Sequence, residues 1–189
     1  MAEPSSRLMT PEEFFEWQRD QDERYELVDG APRPLRAMTG ASNAHDVIVV
    51  NCIIQIGNRL EGMPCRVSTA DTAVRTKIRT LRRPDVTVEC APPERKSYEA
   101  LEPRVVVEAL SPSTSKFDRF TKLDEYRRHP TIRHVLLIDP DMIAAKLYSR
   151  PREGESGDVE LLGRDAVIEL SEIDVSLPLG TLYARLSFE

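Results

Sequence analysis

Cysteine, histidine and long apolar runs are all scarce in this chain, and each scarcity removes a class of function. The cysteines, Cys52, Cys65 and Cys90, are odd in number and none belongs to a C-x-x-C pair. That spacing argues against a disulfide framework and a cysteine zinc site, and predicts reduced thiols in a cytoplasmic protein. The histidines, His45, His129 and His134, include no pair four residues apart, so the helical zinc-hydrolase pattern is missing. The longest apolar stretch, VIVVNCIIQI, is too short and too polar to cross a bilayer. No basic-then-apolar secretion signal opens the sequence. A basic surplus is lacking too: the formal charge is −6 and the pI about 5.3. That balance argues against a non-specific polyanion binder but leaves room for a local basic patch beside an acidic, cation-loaded site. Neither an internal repeat nor a linker divides the 189 residues, so a single domain over 1–189 is expected.

Several elements are written plainly. MTPEEFFEWQRDQ is a helix with Thr10 as N-cap, Pro11 at N1 and Glu13 closing a capping box. RYELVDG alternates and ends on Asp-Gly, a strand entering a turn, and PRPLRAM is a short partner strand. SNAHDVIVVNCIIQIGNRLEG, capped by Ser42 and closed by Gly62, is apolar nearly all round from Val47 to Ile56, which predicts a buried helix. CRVSTADTAVRTKIR and RRPDVTVEC read as two strands joined by a tight turn near Thr80. APPERKSYEALEP is a charged, Pro-rich loop. RVVVEAL, a helix from near Ser115 to just before Pro130, and HVLLIDP form a strand–helix–strand unit from Arg104 to Asp139. AAKLYSR and DVELLG make a late hairpin around PREGESG, and the tail from Ser171 is open, with a short final helix as one option. The order implies a mixed sheet with helices packed on it, an α/β fold.

Glu108 raises a chemical question, because it ends the apolar run RVVVEAL. A carboxylate there is costly unless paired. Asp85 poses the same question in RRPDVTVEC, directly after Pro84, which cannot donate to a strand ladder. One answer is an arginine for each acid, drawn from Arg82, Arg83 and Arg104. The other is convergence on one hard divalent cation, with water and substrate phosphate completing the shell, as magnesium favours.

RRPDVTVEC, then RVVVEALSPST, then KLDEYRRHP resembles the Uma-two family, a branch of the PD-(D/E)XK restriction-endonuclease-like superfamily. The likeness begins at MTPEEFFEW, passes through RYELVDGAP and SNAHDVIV, and reaches HVLLIDPD; VVVEALSPSTSKFDRFTKLDEY is its most specific part. The resemblance implies a restriction-endonuclease-like mixed β-sheet flanked by helices, and Mg²⁺-dependent cleavage of DNA, with Mn²⁺ able to substitute. It makes Asp85 and Glu108 the metal-binding acids, together with the backbone oxygen of Ala109. The superfamily's lysine position, two residues after Glu108, holds Leu110. The resemblance moves that role to Lys122, one helical turn before Tyr126 on the same face. Lys122 would orient or deprotonate water, or stabilise transition-state charge. Taken without the family, Lys122 reads as half of an exposed pair with Asp118. Glu26, where similar proteins carry an acid near the site, and His45, as a contact to phosphate or bound water, are secondary catalytic candidates.

Arg75, Lys77, Arg79, Arg82 and Arg83 stand without an intervening acid, and the first three alternate, so they would share one strand face. A phosphate-backbone track and a solvated, charge-protected sheet edge both fit. STSK, Ser113 to Lys116, satisfies S-x-x-K but lacks the companion motifs of serine acyl-enzymes. The sequence therefore favours a metal-dependent DNA endonuclease. The alternative is a non-catalytic module of the same fold, a dimer whose acidic pocket binds a metal or partner without turnover.

Overall fold

The computed structural model describes residues 8–35, 42–110, 116–150 and 157–188. Helix α1, Pro11–Gln18, starts on the expected capping box: Thr10 accepts from the Glu13 N–H at 3.2 Å, and Glu13 accepts from the Thr10 N–H at 2.9 Å. Strands β1, Tyr25–Val28, and β2, Ala31–Pro34, form a hairpin whose loop is only Asp29 and Gly30. Both have positive φ, 49° and 86°, as a tight turn matched to strand twist requires. Helix α2 runs Asn43–Arg59 from Ser42, whose hydroxyl accepts from the His45 N–H.

The next segment departs from the two-strand reading. It yields four short strands: β3, Arg66–Thr69; β4, Val74–Lys77; β5, Thr80–Arg82; and β6, Val86–Glu89. β4 and β5 pair with each other and join the first hairpin in a sheet ordered β2-β1-β5-β4. β3 and β6 belong to a different sheet. The chain crosses between the two sheets through Arg83, Pro84 and Asp85, so Pro84 sits where no ladder hydrogen bond is needed.

Strand β7, Pro103–Ala109, helix α3, Lys116–Arg128, and strand β8, His134–Asp139, make the expected crossover unit, with β7 and β8 parallel. Strands β9, Ala144–Ser149, and β10, Asp158–Leu162, form the late hairpin. The larger sheet is ordered β10-β9-β8-β7-β6-β3. The tail forms a further hairpin, β11, Val167–Leu170, and β12, Val175–Pro178, with short 3₁₀ turns in place of a final helix.

The sheet separates two cores. Val105, Val107, Leu136 and Ile138 face α2, where Ile48, Cys52 and Ile56 are buried. Val106 and Val135 face α3 and meet Tyr126. Because side chains alternate along a strand, Glu108 belongs to the α3 face with Val106. The expectation for α2 holds on one side only: Val50 and Ile54 are 44% and 47% exposed. The thiol expectation is also corrected. Cys65 and Cys90 form a disulfide, and Cys52 is free and buried. These two cysteines flank the Arg66–Glu89 partners of the β3–β6 ladder, a cross-strand adjacency that parity and motif spacing cannot show. No described helix is long and apolar enough to cross a membrane.

Candidate active site

The antiparallel register of β6 on β7 sets Val86 against Val107. One step further, Asp85 stands opposite Glu108, at the end of the sheet where β6 begins and β7 finishes. The Asp85 carboxylate accepts a hydrogen bond from the Ala109 N–H at 2.8 Å, which seats it against the end of β7. His45, at the start of α2, brings its Nε2 to 3.4 Å from the same carboxylate. The hydrogen bond to Asp85 raises the His45 pKa above its usual 6.5; burial opposes the rise, and the negative charges of Asp85 and Glu108 support it.

Glu108 is partly buried beneath α3. Its Oε1 accepts a hydrogen bond from the Tyr126 hydroxyl at 2.8 Å. Burial pushes its carboxyl up to about 7; Lys122 pulls it down, while Asp85 and Glu26 add to the rise. Burial likewise pushes the Tyr126 hydroxyl well above 10, so it stays a donor. The Cys52 thiol behind the site is pushed up to about 12 by burial, helped by the Asp85 charge, and is inert as a thiolate.

Lys122 turns inward. Its Nζ lies 2.9 Å from Glu26 Oε1, and its side chain is only 14% exposed. Glu26 also pairs with Arg82 at 3.0 Å and accepts the Arg83 N–H at 3.1 Å. Burial raises the Glu26 carboxyl, but the Lys122 and Arg82 charges outweigh it and hold the group below its usual range. Arg82, 2% exposed, grips Glu125 of α3 through Nε at 2.7 Å and Nη2 at 3.1 Å. Elements β1, β5 and α3 are thus tied together behind the carboxylates.

Among the described residues no arginine pairs with Asp85 or Glu108. Arg83 is buried and donates to the carbonyls of Tyr25, Ala70 and Asp71. Arg104 pairs with Glu102 and Glu172. Among the described residues the acids meet only an imidazole, a phenol, one backbone N–H and the nearby ammonium. Two carboxylates at adjacent strand ends are the donor type that a hard cation takes, with its other positions left to water and phosphate. No described group of three or more His, Cys, Asp or Glu side chains is arranged to hold a metal, so an all-protein cage is not what this geometry offers.

The basic run is dispersed. A register shift on edge strand β4 between Arg75 and Lys77 breaks the alternation expected there. Arg75 binds Glu99 and Glu12, Lys77 lies 3.0 Å from Glu125, and Arg79 is exposed in the β4–β5 turn. Ser113 and the Asp118 side chain lie outside the described residues. The pairing of Arg82 with Glu125 was not read from sequence. Arg82 and Glu125 are 43 residues apart and carry no local signal. Tyr126 shares the Lys122 face, and that spacing was the cue to its contact with Glu108.

Three kinds of similarity bear on this site. The model of the Uma2 family, described as "Putative restriction endonuclease", matches residues 11–180. Two uncharacterised proteins of Synechocystis sp. are similar over nearly their whole length. The protein slr1290 is 33% identical over 184 residues, covering 95% of this chain and 94% of its own. The protein sll1609 is 25% identical over 183 residues, covering 90% and 97%. A crystal structure described as "a putative nuclease belonging to DUF820", from Anabaena variabilis, has a TM-score of 0.72 at 19% identity, covering 93% of this chain and 98% of its own. That last likeness is one of fold.

Proposed function

The chain belongs to the Uma2 family, and from that membership we propose a Mg²⁺-dependent endonuclease that hydrolyses phosphodiester bonds in DNA, with Mn²⁺ able to replace Mg²⁺. The observation that carries this reading is a pair of carboxylates, Asp85 and Glu108, which no arginine among the described residues answers, beside an inward-turned lysine. Asp85, Glu108 and the backbone oxygen of Ala109 would hold the cation. When bound, it lowers the pKa of water and polarises the scissile phosphate.

The protein's own groups divide the remaining work. Tyr126 fixes one Glu108 oxygen and orients the other. The Ala109 N–H does the same for Asp85. Lys122 would place a positive charge where the phosphate gains negative charge during attack, and Glu26 holds the ammonium in position. His45, whose contact with Asp85 favours the imidazolium, would donate to a phosphate oxygen.

The contrary reading, a non-catalytic metal- or partner-binding module, has one observation in its favour: Lys122 is engaged by Glu26 rather than by Glu108. Plasmid nicking in Mg²⁺ and Mn²⁺ separates the two. Wild type should nick, and Asp85→Asn and Glu108→Gln should each abolish nicking while remaining folded. A folded wild type that cleaves no DNA under either cation would establish the module.

A further inference from the structure

The proposed chemistry leaves a groove beside the site unused. It has a volume of about 450 Å³ and lies between α3 and strands β8, β9 and β10. Leu123 and Leu137 line it, as do Phe120 and Leu162, which expose 70% and 69% of their surface. Large apolar side chains left in water around a groove mark a binding surface.

This groove is continuous with the candidate site. Leu110, Arg119, Leu123 and Leu137 line both it and the small recess that contains Glu108 and Lys122. At its other end Tyr148 is shared with a second cavity of about 120 Å³, walled by Arg127, Arg133 and Arg150. Arg150 is occupied by the carbonyls of Arg127, His129 and Pro130, and Arg127 lies 3.4 Å from Asp158. Arg133 is different: among the described residues its buried Nε meets no hydrogen-bond partner. Among the described residues neither Arg119 nor Arg133 pairs with a carboxylate. The acids of the groove are engaged, Glu160 with Lys146 at 3.5 Å and Asp139 with the Asp141 N–H at 2.8 Å.

The sequence of surfaces is therefore cation, apolar slot, cation. From Lys122 to Arg127 is about 7.5 Å along α3, and from Leu137 to Arg133 about 13 Å along β8. An extended strand alternates anionic phosphates with flat, stackable bases and matches this order. A regular duplex keeps its bases stacked inside and would offer the slot only sugar and phosphate. We propose that the track binds single-stranded DNA, with an unpaired base in the groove against Phe120 and a neighbouring phosphate at Arg133. The site then acts on unpaired or locally melted DNA in preference to regular duplex. This rests on the endonuclease reading, since it takes the Glu108–Lys122 recess as the place of the scissile phosphate.

The test uses the full chain in EDTA and fluorescence anisotropy of a labelled oligonucleotide, alone and annealed to its complement. Cleavage of the same DNAs in Mg²⁺ and Mn²⁺ runs in parallel. Wild type should bind the single strand about tenfold more tightly than the duplex. Phe120→Ala, at an exposed position that should not disturb folding, and Arg133→Gln should each weaken single-strand binding about tenfold and leave duplex binding unchanged. Wild type that cleaves duplex and single strand alike, with Phe120→Ala indifferent, would overturn the track and leave the endonuclease reading standing. Single-strand binding with the expected variant pattern but no cleavage would keep the track and remove the endonuclease reading. Tighter binding of the matching RNA would overturn the assignment to DNA.

Discussion

Glutamine at position 108 keeps the shape of the side chain and deletes its charge, and the structure gives the consequence a sign and a size. The Glu108 carboxyl is pushed from its ordinary 4.5 to about 7, chiefly by burial. At roughly 1.4 kcal/mol per pH unit, holding the ionised form in the metal-free fold costs about 3 kcal/mol. The folded state binds this proton more tightly than the unfolded chain, so stability falls as pH rises. The group costs nothing below about pH 4.5, and its full penalty is reached once pH passes about 7. Glu108→Gln escapes that penalty, and the Tyr126 hydroxyl still finds an amide oxygen to donate to. The attraction of Lys122 is already contained in that value, and an amide is an imperfect stand-in for the protonated acid, so about 3 kcal/mol is an upper bound. For a chain of this size the gain is worth about 6–12 °C in Tm. Melting curves in EDTA should therefore coincide near pH 4 and separate near pH 8, with the variant more stable. A variant less stable than wild type near pH 8, by the roughly 3–5 kcal/mol of a broken buried ion pair, would refute the reasoning and make Glu108 a structural anion.

Three further outcomes are expected. Lys122→Met should abolish nicking while Mn²⁺ binding, followed by calorimetry, persists, because an ammonium is not a ligand; normal cleavage would remove Lys122 from the mechanism. Arg82→Met strands the buried carboxylates of Glu26 and Glu125 and should lower stability by about 3–5 kcal/mol in urea denaturation, and a loss below about 1 kcal/mol would mean the network relaxes freely. The His45 ring, followed by NMR, should titrate above 6.5, stabilising the fold below that pH and losing the contribution as pH rises through the folded value. Asp85→Asn should lower that midpoint, and an unmoved midpoint would show that the His45–Asp85 contact does not set it.

Local signals were legible wherever a single segment decides its own shape. The Thr10–Glu13 box, the Asp29–Gly30 turn and the Ser42 cap each lie within a few residues, and all three are present. The β7-α3-β8 unit was legible because its periodicity changes where the elements do. Sheet membership was not: nothing between Cys65 and Cys90 says that β4 and β5 leave one sheet for another, since that choice is made by partners far along the chain. The same limit hid the Cys65–Cys90 bridge. At the site, the end-of-strand positions of Asp85 and Glu108 were readable, and their adjacency follows from antiparallel register. The Arg82 network was not readable, because Glu26 and Glu125 lie 56 and 43 residues from the arginine that joins them.

That arginine has a consequence for how such a chain can drift. Arg82 sits at the end of β5 and is answered by one acid from β1 and one from α3, all three nearly sealed from water. Loss of any one leaves charge stranded, whereas replacement of the whole set by apolar residues of similar volume need cost little. Positions 26, 82 and 125 are therefore expected to change together or not at all across related sequences. Because Glu26 also holds Lys122, a lineage that exchanges the trio must find a new anchor for that ammonium in the same step. Chains that have discarded the trio without such an anchor are where loss of nuclease activity should be sought.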